Sequence, residues 1–319
     1  MVTCAFCSAN FETGPGDVLL VCPYCGTAQT QEGAKFKDHY MIRVHFDQHT
    51  AQTTLLDWCS KQLGAPQDLP IAAHFVKYEL IFYPFWISRV DAHTTYKGLG
   101  RDANFYDEWP QRRGAYKRID FFYKPESGQF TRRHEINIPG IETIDEDIKN
   151  FPIPSRAKEY FSHAHAEEYD GKVLHSKIGE EEAKKKAHQT AFDKQTALVL
   201  DEVDKIESRN DNIDVGETFL IHVPVWELTY RYGKKKYKAS VAAATGYVIE
   251  SKYPRSMAFR AMGIGFGLIM LLIGIVLIAA AYQFNILPGG GYVGGSLFSV
   301  IGIALLYKGV SRKEAKEEI

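Results

Sequence analysis

Two short cysteine pairs open the chain, Cys4-Ala5-Phe6-Cys7 and Cys22-Pro23-Tyr24-Cys25-Gly26, in the spacing C-x2-C-x14-C-x2-C. Each pair turns two sulfurs toward one point, so four thiolates can close a tetrahedral Zn2+ site with no open position. Gly26 leaves the backbone room to curl around the second pair. Two disulfides or scattered free thiols are the competing readings. A saturated zinc offers no place to water or substrate, so the ion is expected to fold residues 1–34 and not to catalyse. The fifth cysteine, Cys59, sits in Leu55-Leu56-Asp57-Trp58-Cys59 and reads as a small buried hydrophobe.

Residues 1–34 contain no Lys, Arg or His, while Glu12, Asp17 and Glu32 are acidic. Nucleic-acid affinity rests on cations that neutralise phosphates, so this ribbon is read as a protein-docking or structural module. Docking of a partner is the favoured expectation. A structural staple would instead cover Phe6, Phe11, Val18, Leu19, Leu20 and Tyr24 with the body of the protein. With 38 basic and 39 acidic residues, the whole chain implies neither a strongly acidic nor a strongly basic partner. No signal peptide is read ahead of the cysteines, which places them in a reducing compartment where metal ligation is their expected use.

A run from Ala261 to Tyr282 carries no charge. At 1.5 Å per residue it extends roughly 33 Å, enough to cross a bilayer core. A second run, Val293 to Val310, holds Gly294, Gly295, Ser296, Gly302 and, near its end, Lys308. It is read as a second span, with an interfacial or re-entrant segment as the alternative. Lys252, Arg255 and Arg260 precede the first run; Lys308, Arg312, Lys313 and Lys316 close or follow the second, and the loop around Asn285 has no cation. The positive-inside rule then places both termini in the cytoplasm. Gly263, Gly265, Gly267 and Gly274 permit close helix approach, either within a hairpin or between copies of the chain.

The body contains a repeated pattern. Ile81-Phe82-Tyr83-Pro84-Phe85-Trp86 reappears as Ile221-His222-Val223-Pro224-Val225-Trp226, with Pro-x-Trp in register inside aromatic and β-branched runs. Duplication of one α+β unit is the expected cause. Each Pro should begin a strand or mark a bulge, and each Trp should pack under a helix. The pattern predicts a helix over Thr53–Leu63, buried through Leu55, Leu56, Cys59 and Leu63. It predicts a longer one over Glu180–Ser208, buried through Ala187, Ala191, Leu198, Val199 and Val203. Turns are expected within Tyr123–Phe130, Tyr230–Tyr237 and at Thr245-Gly246. The predicted architecture is α+β: a zinc ribbon at 1–34, antiparallel-sheet-and-helix repeats at 35–150 and 151–256, and a transmembrane hairpin with a charged tail at 257–319.

The chain has no P-loop, no dinucleotide-binding glycine motif, no H-E-x-x-H and no G-x-S-x-G. His163, His165 and His175, with Glu167 and Glu168, form the one further candidate metal cluster. On a helix His163 and His165 diverge too far to share an ion, and a solvated helix face accounts for them. Arg112, Arg113, Lys117, Arg118, Arg132, Arg133 and His134 make one region basic, for solubility or for contact with anionic headgroups. Glu142, Asp145, Glu146 and Asp147 read as a solvated loop.

Taken in order, the ribbon, Tyr83-Pro84-Phe85-Trp86, the stretch from Pro224 to Gly233, Thr245-Gly246 and the C-terminal apolar runs resemble one family. It is that of bacterial and archaeal membrane-anchored zinc-ribbon proteins. The resemblance implies a cell-membrane location and a link to stomatin-like (SPFH) or phage-shock-type membrane proteins. It implies no catalytic residue. The expected function is a non-enzymatic membrane adaptor that holds zinc through Cys4, Cys7, Cys22 and Cys25 and engages a membrane-associated protein partner. A membrane-tethered nucleic-acid binder and an enzyme with a cleft between the repeats are the alternatives.

Overall fold

The computed structural model describes residues 1–36, 38–108, 116–284, 288–310 and 315–316. Arg112, Arg113, Asn285, Arg312 and Lys313 lie outside the described residues, as do the side chains of Lys117, Arg118 and Lys308. The ribbon comprises β1 (Val2–Thr3), β2 (Asn10–Phe11), β3 (Leu19–Val21), β4 (Ala28–Thr30) and β5 (Lys35–Phe36). Next come β6 (His39–Ile42), α1 (Gln48–Ser60), α2 (Leu69–Ala72), and the long strands β7 (His74–Glu108) and β8 (Tyr116–Pro139). After α3 (Glu146–Asn150), β9 (Lys158–Tyr160), α4 (His163–Glu168) and β10 (Lys172–Val173) lie α5 (Glu180–Glu202) and β11 (Lys205–Tyr232). The chain ends with β12 (Lys235–Ala242), β13 (Val248–Tyr253), α6 (Met257–Phe284), α7 (Pro288–Val310) and β14 (Ala315–Lys316).

The fold is α+β with mostly antiparallel pairing, and it forms two compact units that are not contiguous in sequence. Unit 1 gathers Met1–Arg43 and Ile81–Pro224; unit 2 gathers Val44–Leu80 and Val225–Ile319. In unit 1, β7 and β8 pair from Phe85↔Pro139 outward in one unbroken register. The turn expected within Tyr123–Phe130 is absent, because those residues are strand. Pro125 and Gly128 look like turn signals but lie opposite Leu99 and Tyr96. A Cβ at Gly128 would meet the Tyr96 hydroxyl at 2.6 Å, so the glycine serves a close side-chain crossing rather than a bend. Two short parallel pairings, β10 on β7 and β6 on β11, depart from a pure antiparallel meander. In unit 2, β11 turns at Gly233 (φ +60°) into β12, and Gly246 (φ +71°) carries β12 into β13, both as the sequence predicts.

The helices differ from expectation at their ends. α1 begins earlier than Thr53 because the Asp47 side chain accepts the Thr50 backbone N–H at 2.8 Å. It stops before Leu63, which is 80% exposed instead of buried. α5 ends at Glu202 rather than Ser208. Asp204 diverts the chain into β11 by donating its N–H to the Leu99 carbonyl and accepting the Arg101 N–H on its carboxylate. Glu146 and Asp147 form the first turn of α3, where their charge suits the helix dipole, and are not loop.

Each Pro-x-Trp tryptophan is buried and donates its indole N–H to the carbonyl two residues before a helix. In unit 1, Trp86 donates to Ile178 at 3.2 Å, Gly179 caps α5, and the fourth, eighth and twelfth helix residues, Ala183, Ala187 and Ala191, are buried. In unit 2, Trp226 donates to Phe46 at 2.8 Å, Asp47 caps α1, and its fourth, eighth and twelfth residues, Ala51, Leu55 and Cys59, are buried. The covering helix does not follow chain order in either case. α5 precedes the second tryptophan in the chain but covers the first; α1 precedes the first but packs on β12 and β13 of the second. Backbone details match too. Lys177 donates to Gly140, just beyond β8, and His45 donates to Ala243, just beyond β12.

Candidate metal centre

The four cysteine sulfurs lie within 4.8 Å of one another, Cys4 to Cys25 at 3.6 Å and Cys7 to Cys22 at 3.7 Å. Each pair sits on a tight turn closed by a backbone bond, Ser8 N–H to the Cys4 carbonyl and Gly26 N–H to the Cys22 carbonyl. Both turns need a left-handed residue after the second cysteine; Gly26 (φ +71°) adopts it freely, while Ser8 (φ +61°) does so at a steric cost. Backbone N–H groups point at the sulfurs. Burial opposes ionisation of Cys4, but the N–H groups of Cys7 and Phe6 outweigh it and bring its pKa down to about 6. Burial dominates at Cys22 and pushes it up to about 12. Four sulfurs this close cannot all ionise without a cation, and a soft divalent ion resolves that conflict. The donor set can hold a metal ion.

Gln29 was not singled out from the sequence, yet it braces the first turn. It is fully buried, accepts the Ala5 N–H at 2.7 Å and donates to the Thr3 carbonyl at 3.1 Å. Such outer-shell contacts fix the ligands' orientation. Phe11, Leu20, Cys4 and Cys22 form a small apolar core beneath the sulfurs.

The ribbon is part of unit 1 rather than a free module. Val18 and Leu19 donate to the Ser176 carbonyl, Ser176 returns a bond to Leu19, and Leu19 joins the core containing Trp86 and Ile178. Of the residues a staple would cover, Phe11, Leu19 and Leu20 are buried; Phe6, Val18 and Tyr24 remain exposed. The module is therefore stapled through β3 and keeps two exposed aromatic side chains, one on each cysteine turn.

The histidine candidates do not form a second metal site. His163 and His165 face Glu167 and Glu168 along α4 at 3.2 and 3.3 Å. His175 stands apart from them and accepts the Val21 N–H on Nδ1 at 3.2 Å. Among the described residues, the cysteine cluster is the one group with metal-binding geometry. A different histidine pair, unmarked in the sequence, is buried behind the ribbon. His222 Nε2 lies 2.9 Å from the Leu174 carbonyl and His222 Nδ1 lies 2.9 Å from His39 Nε2. A carbonyl can only accept, so His222 donates from Nε2 and accepts on Nδ1 the proton of His39 Nε2. Burial lowers His222 to about 4; burial, then the neighbouring His222, holds His39 well below the usual imidazole range.

Burying these two imidazoles in neutral form makes the fold sensitive to acid. Unfolded imidazoles protonate near pH 6.5, whereas His222 stays neutral in the fold down to about pH 4. Within that window the unfolded chain binds more protons, so stability falls as pH falls, by up to about 1.4 kcal/mol per pH unit for each such histidine. Urea midpoints measured from pH 7 to pH 4 should show the decline, and His222→Gln should flatten it. An unaltered slope in the variant would locate the protons elsewhere.

In unit 2, α6 is the one helix among the described residues that is long and apolar enough to span a membrane, over Met257–Gln283. The apolar part of α7 is shorter, Tyr292–Tyr307. The two pack antiparallel through small residues: a Cβ at Gly267 would meet Gly302 and Leu306, and one at Gly274 would meet Gly295 and Ser299. Gly267 and Gly274 thus serve this pair, while Gly265 faces open space. Cys59 is buried as expected, though its sulfur also meets the Ser251 hydroxyl at 3.1 Å.

Comparison with protein-family models, with curated proteins and with solved structures finds no match to this chain. The family resemblance therefore rests on the residues quoted for it and on no wider likeness.

Proposed function

We propose that the chain is a membrane-anchored zinc-ribbon adaptor of the cell membrane, with both termini in the cytoplasm and no catalytic role. The observation that carries this reading is the closed four-sulfur cluster built into the same unit as Trp86. A saturated tetrahedral zinc suits folding and leaves no position for substrate. The α6–α7 pair supports anchoring, with α6 as the first span and α7 as a shorter second one held by glycine contacts. The matching Trp–carbonyl–helix arrangement in both units supports duplication of one α+β segment, with the helices exchanged between the copies.

The partner surface in this reading is the ribbon's outer face, where Phe6 and Tyr24 stand 67% and 69% exposed. Large exposed aromatics are costly on a surface that meets only water, and they are preferred anchors in protein interfaces. The partner is a membrane-associated protein of the stomatin-like or phage-shock type. Phe6→Ala with Tyr24→Ala should keep the metal and the membrane location but lose at least tenfold in recovery of such a partner from native membranes. Equal recovery by the variant and the parent would end the docking assignment. A salt-sensitive gel shift with nucleic acid would favour the tethered nucleic-acid binder instead.

A further inference from the structure

Past the end of α5, the paired strands β7 and β8 run on as an arm of unit 1 whose two faces differ. α5 stops at Glu202, and Asp204 donates its N–H to the Leu99 carbonyl, so helix cover ends level with Leu99. Residues opposite each other in the ladder share a face, and faces alternate along each strand. The register from Leu99↔Pro125 to Phe105↔Ile119 therefore sets Leu99, Ile119, Phe121 and Tyr123 on one face. Asp102, Asn104, Lys124 and Glu126 take the other, with Phe122 among them. Nearer the core this second face is the apolar one, since Trp86 and Val90 belong to it and are buried with α5 residues. The apolar side chains thus change sides where the helix ends. They stay uncovered there: Ile119, Phe121 and Tyr123 are 47%, 64% and 48% exposed.

The charge of this apolar face is one-sided. Arg101 holds its guanidinium 5.3 Å from the centre of the Phe121 ring, and the Lys205 ammonium lies 4.3 Å from that of Tyr123. Lys97 shares the face by register. None of these three cations has an ion-pair partner among the described residues. On the same face, β7 and β8 carry no carboxylate over 97–104 and 119–127. The acids at the near end of β11 are Asp204, whose carboxylate accepts the Arg101 backbone N–H at 2.7 Å, and the exposed Glu207. The cations still outnumber them.

A surface that covers this face must offer apolar depth and negative charge together. The same face of a second copy would set Arg101 and Lys205 against cations. An acidic protein would need a carboxylate matched to each cation, whereas a lipid surface presents phosphates at every position. We infer that the arm lays this face on a bilayer that contains anionic phospholipid. Ile119, Phe121 and Tyr123 enter the boundary between headgroups and acyl chains, and Arg101 and Lys205 meet the phosphates. The inference stands on unit 1 alone and does not need α6 to span.

The test uses the full chain in vesicles, with Phe121→benzoylphenylalanine as a photo-crosslinking probe. One set of vesicles is phosphatidylcholine alone; the other holds phosphatidylglycerol as its minor lipid. Mass spectrometry after irradiation should find lipid adducts at position 121, about tenfold more with phosphatidylglycerol present, as for two cations at an anionic surface. Lys124→benzoylphenylalanine, on the opposite face, should give few in either set. Arg101→Gln with Lys205→Gln should remove the dependence on phosphatidylglycerol, and Arg101→Lys should keep most of it. Resistance to alkaline extraction, read in the same samples, reports α6 insertion separately. A chain that alkali extracts but phosphatidylglycerol still labels loses the anchoring reading and keeps the arm. Equal labelling at 121 and 124, yields indifferent to phosphatidylglycerol, or adducts to a second copy overturn the arm's contact. In native membranes, adducts to another protein in place of lipid would overturn it too and make the face a protein-docking surface.

Discussion

A Cys22→Ser chain is expected to purify without zinc and to lose structure well beyond residues 1–34, while the parent carries one zinc per chain. Cys22 directly follows β3, whose Leu19 is packed with Trp86 and Ile178 and whose backbone is bonded on both sides to Ser176. Metal binding in zinc-finger peptides is worth about 10–16 kcal/mol, comparable to or larger than the whole stability of a typical domain. Losing it should therefore loosen the parts of unit 1 that β3 supports. Metal analysis gives the stoichiometry, and amide hydrogen exchange at Leu19, Ser176 and along α5 gives the reach of the damage. Zinc near one per chain in the variant would remove Cys22 from the ligand set. Loss of zinc with full protection at Ser176 would show that β3 holds the body without it.

The cysteine cluster was legible because its information is local: two turns, each setting two sulfurs, with Gly26 supplying the required backbone freedom. Its bracing was not. Gln29 is an ordinary polar residue until its side chain is seen spanning Thr3 and Ala5. Periodicity also located the buried face of α1 through Leu55, Leu56 and Cys59, and the apolar stretch of α6. What failed were signals whose meaning depends on a distant partner. Pro125 and Gly128 look like a turn, yet they lie within a long strand because β7 is paired opposite them. Val203 to Ser208 continue a helical pattern, yet Asp204 is captured by β7. His39, His175 and His222 are scattered in the sequence, and only the folded chain joins two of them in a buried pair and sets the third against β3.

Trp86→Ala and Trp226→Ala are each expected to cost about 3–5 kcal/mol, as for other fully buried large aromatics. Each also removes an indole donor: the Phe46 carbonyl loses its bond from Trp226, while the Ile178 carbonyl keeps the Ser176 hydroxyl at 2.8 Å. The informative quantity is where the loss falls. If helices followed their own strands in sequence, Trp86→Ala would expose the amides of α1, which lies just ahead of it. In the observed packing Trp86 sits instead against Ala183, Ala187 and Ala191, so its removal should release α5 and leave α1 protected. Trp226→Ala should do the reverse, releasing α1 through the Phe46 carbonyl and the cap at Asp47. Trp86→Phe separates the two contributions, since it keeps most of the ring volume and removes only the donor; about 0.5–1.5 kcal/mol of the loss should remain, because Ser176 still donates to the Ile178 carbonyl. Hydrogen exchange on the two helices, alongside urea unfolding of the detergent-solubilised chain, measures both effects. Loosening of α1 by Trp86→Ala, with α5 unchanged, would refute the exchanged arrangement and with it the account of how the two tryptophans came to share one geometry.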